Sequence, residues 1–277
     1  MSQPNPVPYL TAVGPKQRFL YVKQLGNGEH PLVFVHGLSA THEFFRPLID
    51  AAGFAETHKL YLYDFEGHGL SPVNSTAEPS LQDHVEDLLG IFQKFGLKRA
   101  TIIAHSMGCM IAEAFATQHA SLIDKMVLLG PLPYPLPPGG KEMMHKRAAT
   151  VREAGLVVVA DAVAEAGTAA ETKSKSPLAT SLVRLSTLSQ SSEGYARASI
   201  ALGNCDVNIN PGEFLFETLI VVGADDKVAP PVAAENLAVK IRRVQKQVLP
   251  GIGHWYVYED VHVVSKVVLD FIAKPRL

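Results

Sequence analysis

The amino-acid sequence predicts an α/β architecture: a mostly parallel central sheet flanked by helices, with four further helices inserted as a cap. Three observations carry that expectation. Apolar, β-branched runs without alternation, such as PLVFV (31–35), recur between amphipathic helical patterns and mark strands buried on both faces. Strand and helix alternate up to residue 130, a rhythm that right-handed crossovers turn into a parallel sheet. At Pro131 the composition changes: PLPYPLPPGG (131–140) is too rich in proline and glycine for either element, and the chain beyond it is helical until FETLIVVG (216–223) resumes the sheet. The expected division is a core of residues 1–130 and 211–277 and a cap of 131–210.

Along the chain, residues 8–28 carry short alternating segments, with RFLYVKQLG (18–26) the clearest strand and GNG (26–28) an expected hairpin turn between antiparallel edge strands. PLVFV then ends at His36-Gly37-Leu38-Ser39, where a glycine just past a central strand allows close backbone approach to a ligand. A helix over 41–52 has Thr41 near its N-cap and precedes the strand HKLYLYD (58–64). The turn FEGHGLSP (65–72) comes next, in which His68 reads as a loop anchor. Ser80 and Asp83 form a capping box for an amphipathic helix that Gly96 ends. DKMVLLG (124–130) is the next buried strand. Four helices punctuated by Gly155, Gly167, Ser176-Pro177 and Gly203 make the cap, since a single crossover needs only one. After it come strands at 219–222 and 244–249 and a closing helix at 261–272.

One stretch organises this pattern. In RATIIAHSMGCMIAEAF (99–115) a β-branched strand turns directly into a helix at Ser106. So sharp a turn is tolerated when small residues stand two positions either side, here Ala104 and Gly108. It holds the hydroxyl out at the carboxyl end of the strand, beside the first helical N–H, that of Met107, where an oxyanion would form. A serine needs a base to take its proton and a carboxylate to orient that base. Later strand-end loops supply Asp225 or Asp226 and then His254.

These residues resemble the nucleophile elbow G-x-S-x-G of the α/β-hydrolases, with Ala104 in place of the first glycine, and the order serine, acid, histidine is that family's order. The resemblance implies the α/β-hydrolase fold with a four-helix cap and a Ser-His-Asp triad. Its spacing G-x-x-D-x-x-x-P falls on Gly223, Asp226 and Pro230, so Asp226 is the implied acid. Gly253-His254-Trp255 is a pattern the family shares. The residue after its His-Gly pair donates the second oxyanion N–H, a position held here by Leu38. A serine nucleophile sets the chain apart from epoxide hydrolases and haloalkane dehalogenases. The cap, with VREAG and VADAVAEAG, looks most like that of the 3-oxoadipate enol-lactonases, and strigolactone and karrikin receptor-like hydrolases are similar in core and cap.

The expected function is therefore hydrolysis of a small carboxylic ester or lactone through an acyl-enzyme. The alternatives are a lactone receptor with slow turnover and a hydrolase of carbon–carbon bonds in a ring-cleavage dienoate. If the substrate carries a carboxylate, a cap arginine could pair with it bidentately. Arg147, Arg152, Arg184 and Arg197 are available, and Arg147, Arg152 and Trp255 are the expected substrate contacts. No cofactor or metal is called for.

Composition narrows the partners. A formal charge of −2 over 277 residues, with no basic run, removes nucleic acid as a default partner, and 47% hydrophobic residues suffice for a covered sheet. MSQPNPVPYL (1–10) has neither a charged nor an apolar leader segment, and no run reaches the length of a membrane span, so a cytoplasmic protein is expected. Oligomeric state is left open. Two cysteines make no disulfide framework, and Cys109, three residues past Ser106, reads as packing.

Overall fold

The computed structural model describes residues 10–75 and 77–275. Residues 1–9, with most of the segment read for a leader and the start of the first alternating segment, lie outside the described residues.

Eight strands form one sheet: β1 (Leu10–Val13), β2 (Arg18–Leu25), β3 (His30–Val35), β4 (His58–Tyr63), β5 (Ala100–His105), β6 (Ile123–Leu129), β7 (Glu217–Gly223) and β8 (Val244–Leu249), in the order β1-β2-β4-β3-β5-β6-β7-β8. β1 and β2 run antiparallel to their neighbours, and every pairing from β4 to β8 is parallel. All six residues of β5 are buried, which accounts for the apolar run 102–104 at its centre. β8, at the far edge, is largely solvent-facing, and its sequence VQKQVL is correspondingly polar.

The GNG segment is not a hairpin turn. β2 pairs with β4 rather than with β3, so the chain after β2 must cross to the far side of β4. Gly26 and Gly28 make that crossing: a Cβ on either would run into the backbone oxygens of His58 or Thr57. The hairpin lies one turn earlier, at Gly14 to Gln17, where the Gln17 N–H donates to the Gly14 oxygen at 3.1 Å.

Because β3 lies between β4 and β5, the winding reverses between β3 and β5. The carboxyl ends of those two strands open a crevice there, the usual ligand position in open α/β sheets. Leu38 follows β3 and Ser106 follows β5, so the reversal brings both to one place.

Between β6 and β7 the four expected helices are present as Pro138–Ala154, Val157–Gly167, Pro177–Leu188 and Ser192–Asn204, with a short fifth, Ala170–Lys175, between the second and third. They are tied to the sheet end by specific bonds. Ser186 Oγ donates to the Ser39 oxygen at 2.7 Å, and Arg197, buried on the last helix, pairs with Glu66 at 3.3 Å. Among the described residues no helix is long and apolar enough to cross a membrane.

Candidate active site

Ser106 sits between β5 and the helix Met107–His119 with φ +53° and ψ −121°, a conformation that non-glycine residues avoid. The surroundings hold it there. The Ser106 N–H donates to the Leu129 oxygen on β6 at 3.0 Å, and the Cys109 N–H donates back to the Ser106 oxygen at 2.8 Å. A Cβ on Gly108 would run into the Val35 oxygen, and one on Gly37 would lie 2.8 Å from Ser106 Cβ. Both positions therefore need glycine for the β3 and β5 loops to approach.

His254 and Asp226 reach Ser106 from two further loops. His254 Nε2 lies 2.8 Å from Ser106 Oγ, and Nδ1 lies 2.8 Å from Asp226 Oδ2. A carboxylate only accepts, so Nδ1 carries the proton and Nε2 is free to accept from the serine hydroxyl. Asp226 also accepts from the Val228 and Ala229 N–H groups at 2.8 and 2.7 Å and from the Tyr256 hydroxyl at 2.6 Å. Burial alone would raise its pKa. The charge and hydrogen bond of His254, with those from Tyr256 and the Ala229 N–H, outweigh that and hold the carboxyl below the usual aspartate value. Asp225 is exposed beside it, and of the two carboxylates it is Asp226 that lies against His254.

The His254 backbone is anchored on both sides. Its N–H donates to the Gly167 oxygen at the end of the second inserted helix (2.7 Å), and its oxygen accepts from His105 Nε2 (2.9 Å). Glu259 ties the same loop to the inserted helices, accepting from the Gly253, Trp255 and Ala169 N–H groups and the Thr172 hydroxyl at 2.7–3.0 Å. Tyr256, Glu259 and His105 escaped the sequence reading because their roles are contacts across loops. Only the nearness of Tyr256 to His254 could have drawn attention to it.

Above the serine lies a cavity of about 370 Å³. Its floor includes Ser106, His254 and Leu38, and its walls are mostly apolar, among them Leu136, Met144, Val163, Leu202 and Trp255. The Leu38 N–H has no acceptor among the described residues, and Met107, first in its helix, has no intrahelical one. Arg147 and Lys227 are the cations on its lining. Lys227 drew no notice in the sequence, since its neighbour Asp226 held the motif.

Arg152 is a correction. It does not line the cavity; its guanidinium makes a bidentate pair with Glu193 (2.9 and 2.7 Å) and a further bond to Glu78 at 2.5 Å. Two carboxylates already engage three of its five N–H donors. Arg184 is likewise engaged by Asp161, and Arg197 by Glu66. His36 and His68 are loop anchors. His36 accepts from the Phe65 N–H at 3.0 Å and donates to the Gly37 oxygen at 2.9 Å, and burial lowers its pKa to about 3. Burial lowers His68 to about 4. Cys109 is fully buried against the Leu129 oxygen. Among the described residues no group of three or more histidine, cysteine or acidic side chains could hold a metal ion.

A parallel sheet with its winding reversal at an elbow serine, and a histidine and an aspartate hydrogen-bonded in line behind that serine, defines the α/β-hydrolase class. The chain belongs to it: the model of the alpha/beta hydrolase family matches residues 32–267. Among solved structures, an enol-lactonase from Burkholderia xenovorans LB400 superposes with a TM-score of 0.85 at 22% identity, over 96% of this chain and 100% of that one, a likeness of fold. A 2-hydroxy-6-oxononadienedioate/2-hydroxy-6-oxononatrienedioate hydrolase of Cupriavidus pinatubonensis is 26% identical over 91% of this chain and 90% of its own. The probable lysophospholipase BODYGUARD 3 of Arabidopsis thaliana is 33% identical over 46% of this chain. The match covers 27% of that protein, and the chain spans only about a quarter of the length of the curated relatives matched first.

Proposed function

We propose that this protein is a serine hydrolase of small carboxylic esters or lactones. The observation that carries the reading is the unbroken hydrogen-bond chain from Ser106 through His254 to Asp226 at the floor of an apolar cavity. Ser106 Oγ attacks the substrate carbonyl as its proton passes to His254 Nε2. Asp226, kept ionised by its donors, stabilises the imidazolium. The negative charge on the carbonyl oxygen is taken up by the N–H groups of Leu38 and Met107, which are fixed before the reaction begins. His254 then returns the proton to the leaving oxygen, and water repeats the sequence on the acyl-enzyme to release the acid and free Ser106.

Residues 131–210 act as the cap that selects the substrate. Its apolar underside suits a short hydrocarbon body, and Arg147, with Lys227, would attract a carboxylate at the far end of the molecule, as in an enol-lactone acid. The test is multiple-turnover hydrolysis of p-nitrophenyl acetate and a panel of lactones by wild type and Ser106→Ala, read by product mass. Turnover confined to the wild type is expected, and full activity in the variant overturns the assignment. The near full-length match to the Cupriavidus hydrolase favours a second reading, cleavage of a carbon–carbon bond in a ring-cleavage dienoate. Fragment acids formed from such a diketone faster than from any ester would select it.

A further inference from the structure

Behind the proline-rich lip lies a second cavity, of about 230 Å³, that the reaction above leaves unused. Leu132 and Pro133 line both cavities, so the lip is a thin partition between them. On the lining is Glu113, from the helix that follows Ser106. It is 2% exposed, and among the described residues its carboxyl has neither a hydrogen bond nor an ion pair. Natural interiors seldom leave such a group without a partner.

The titratable groups that face Glu113 are Lys240 across the cavity, Cys109 one turn back on the same helix, and Cys205 at the end of the last inserted helix. Burial raises both thiols, which stay neutral. Burial, opposed by Lys240, also raises Glu113, to about 8, so at neutral pH the carboxyl keeps its proton and can donate. Lys240 and Asn236, both exposed at the mouth, add an ammonium and an amide. The Tyr134 hydroxyl is already committed to the Val207 oxygen at 2.6 Å. What remains is a small cavity of mixed lining, apolar at Leu132, Ile209 and Leu237, that Glu113, Asn236 and Lys240 border with donors and one positive charge. A carboxylate complements that set; an amine would meet Lys240 and force a buried Glu113 to ionise.

We propose that this cavity binds a small monocarboxylate with a short hydrocarbon body, held by Lys240, Asn236 and the carboxyl group of Glu113. An acid of this kind is what ester hydrolysis releases, and the shared wall of Leu132 and Pro133 gives an occupied site a route to the substrate cavity. Binding does not depend on the hydrolase reading.

The test is calorimetric titration of the full chain with butyrate, with crystals soaked in 3-bromopropionate to locate the ligand by its bromine signal. Wild-type affinity is expected to fall about tenfold between about pH 7 and about pH 9 as Glu113 ionises. Glu113→Gln, which keeps a neutral donor and acceptor, should bind at neutral pH and lose that dependence. Glu113→Leu should bind about tenfold or more weakly, having lost the charge-assisted bond, and Lys240→Ala several-fold more weakly. The proposal is overturned if the bromine is absent from this cavity, if Glu113→Leu binds as the wild type does, or if affinity rises toward alkaline pH. Should the leucine variant fail to fold, the pH response of Glu113→Gln decides alone. Because the readout is binding and not turnover, this proposal and the hydrolase reading fail separately.

Discussion

The carboxyl rim of the sheet and the underside of the inserted helices face each other across one cavity, yet they are built on opposite principles. At the rim the polar side chains around Ser106 are closely bonded: Asp226 accepts from four donors, and His254 is held at both ring nitrogens and at both backbone groups. On the underside the contacts are apolar, and the charged side chains that sequence offered are mostly spent on one another, Arg152 on Glu193 and Glu78, Arg184 on Asp161. On the proposed reading, direction is fixed where bonds would form and break, and shape with one or two charges suffices where a substrate would be selected.

That contrast can be broken most severely at the rim. Asp226→Asn should lower kcat about 10⁴-fold, because the amide donates to the imidazole and favours the wrong tautomer; steady-state hydrolysis of a p-nitrophenyl ester measures it. Next in size is Glu259→Ala, which removes the acceptor of three backbone N–H groups and the Thr172 hydroxyl. It should cost about 3 kcal/mol of stability, read by thermal melting, and about tenfold in kcat through loss of the His254 loop position.

Tyr256→Phe is a finer probe, expected to lower kcat about threefold to tenfold by removing one hydrogen bond to a charged group. With that donor gone the pKa of Asp226 rises. The same shift has a stability sign. Asp226 lies below its unfolded value, so its contribution is complete above about pH 4 and is lost as pH falls through the folded value. The difference in melting temperature between Tyr256→Phe and wild type should therefore shrink on acidification.

The smallest effect belongs to the cap. Arg147→Met should raise KM about fivefold for esters bearing a terminal carboxylate and leave neutral esters unchanged, as loss of a partly exposed charge-assisted contact predicts. Equal effects on both would show that the underside selects by shape alone.

The same division governs how much could be read from the residues. β5, the elbow and the helix after it were legible because a strand-to-helix turn at a serine restricts its neighbours locally, whereas the close approach of Gly108 to the Val35 oxygen joins two strands far apart in sequence and was not. From the residues alone the loop acid was legible only to Asp225 or Asp226, and the family spacing pointed to Asp226, since which carboxylate turns inward depends on donors at 228, 229 and 256. GNG misled because a turn sequence reports a change of direction and not which strand comes next; Gly26 and Gly28 serve a crossing beneath the start of β4. Arg147 and Arg152 lie on the same helix and look equivalent in sequence. Only tertiary packing sets one beside the cavity and the other against Glu193 and Glu78.

The bond from the His254 N–H to the Gly167 oxygen joins the reacting base to the roof above it, and Gly167 admits no larger residue, since a Cβ there would lie 2.5 Å from the Trp255 indole nitrogen. Were that helix to swing away and uncover the serine, the imidazole would lose one of its two backbone tethers at the same moment. A base tethered in this way would be firmest with that helix seated and slacker with it displaced.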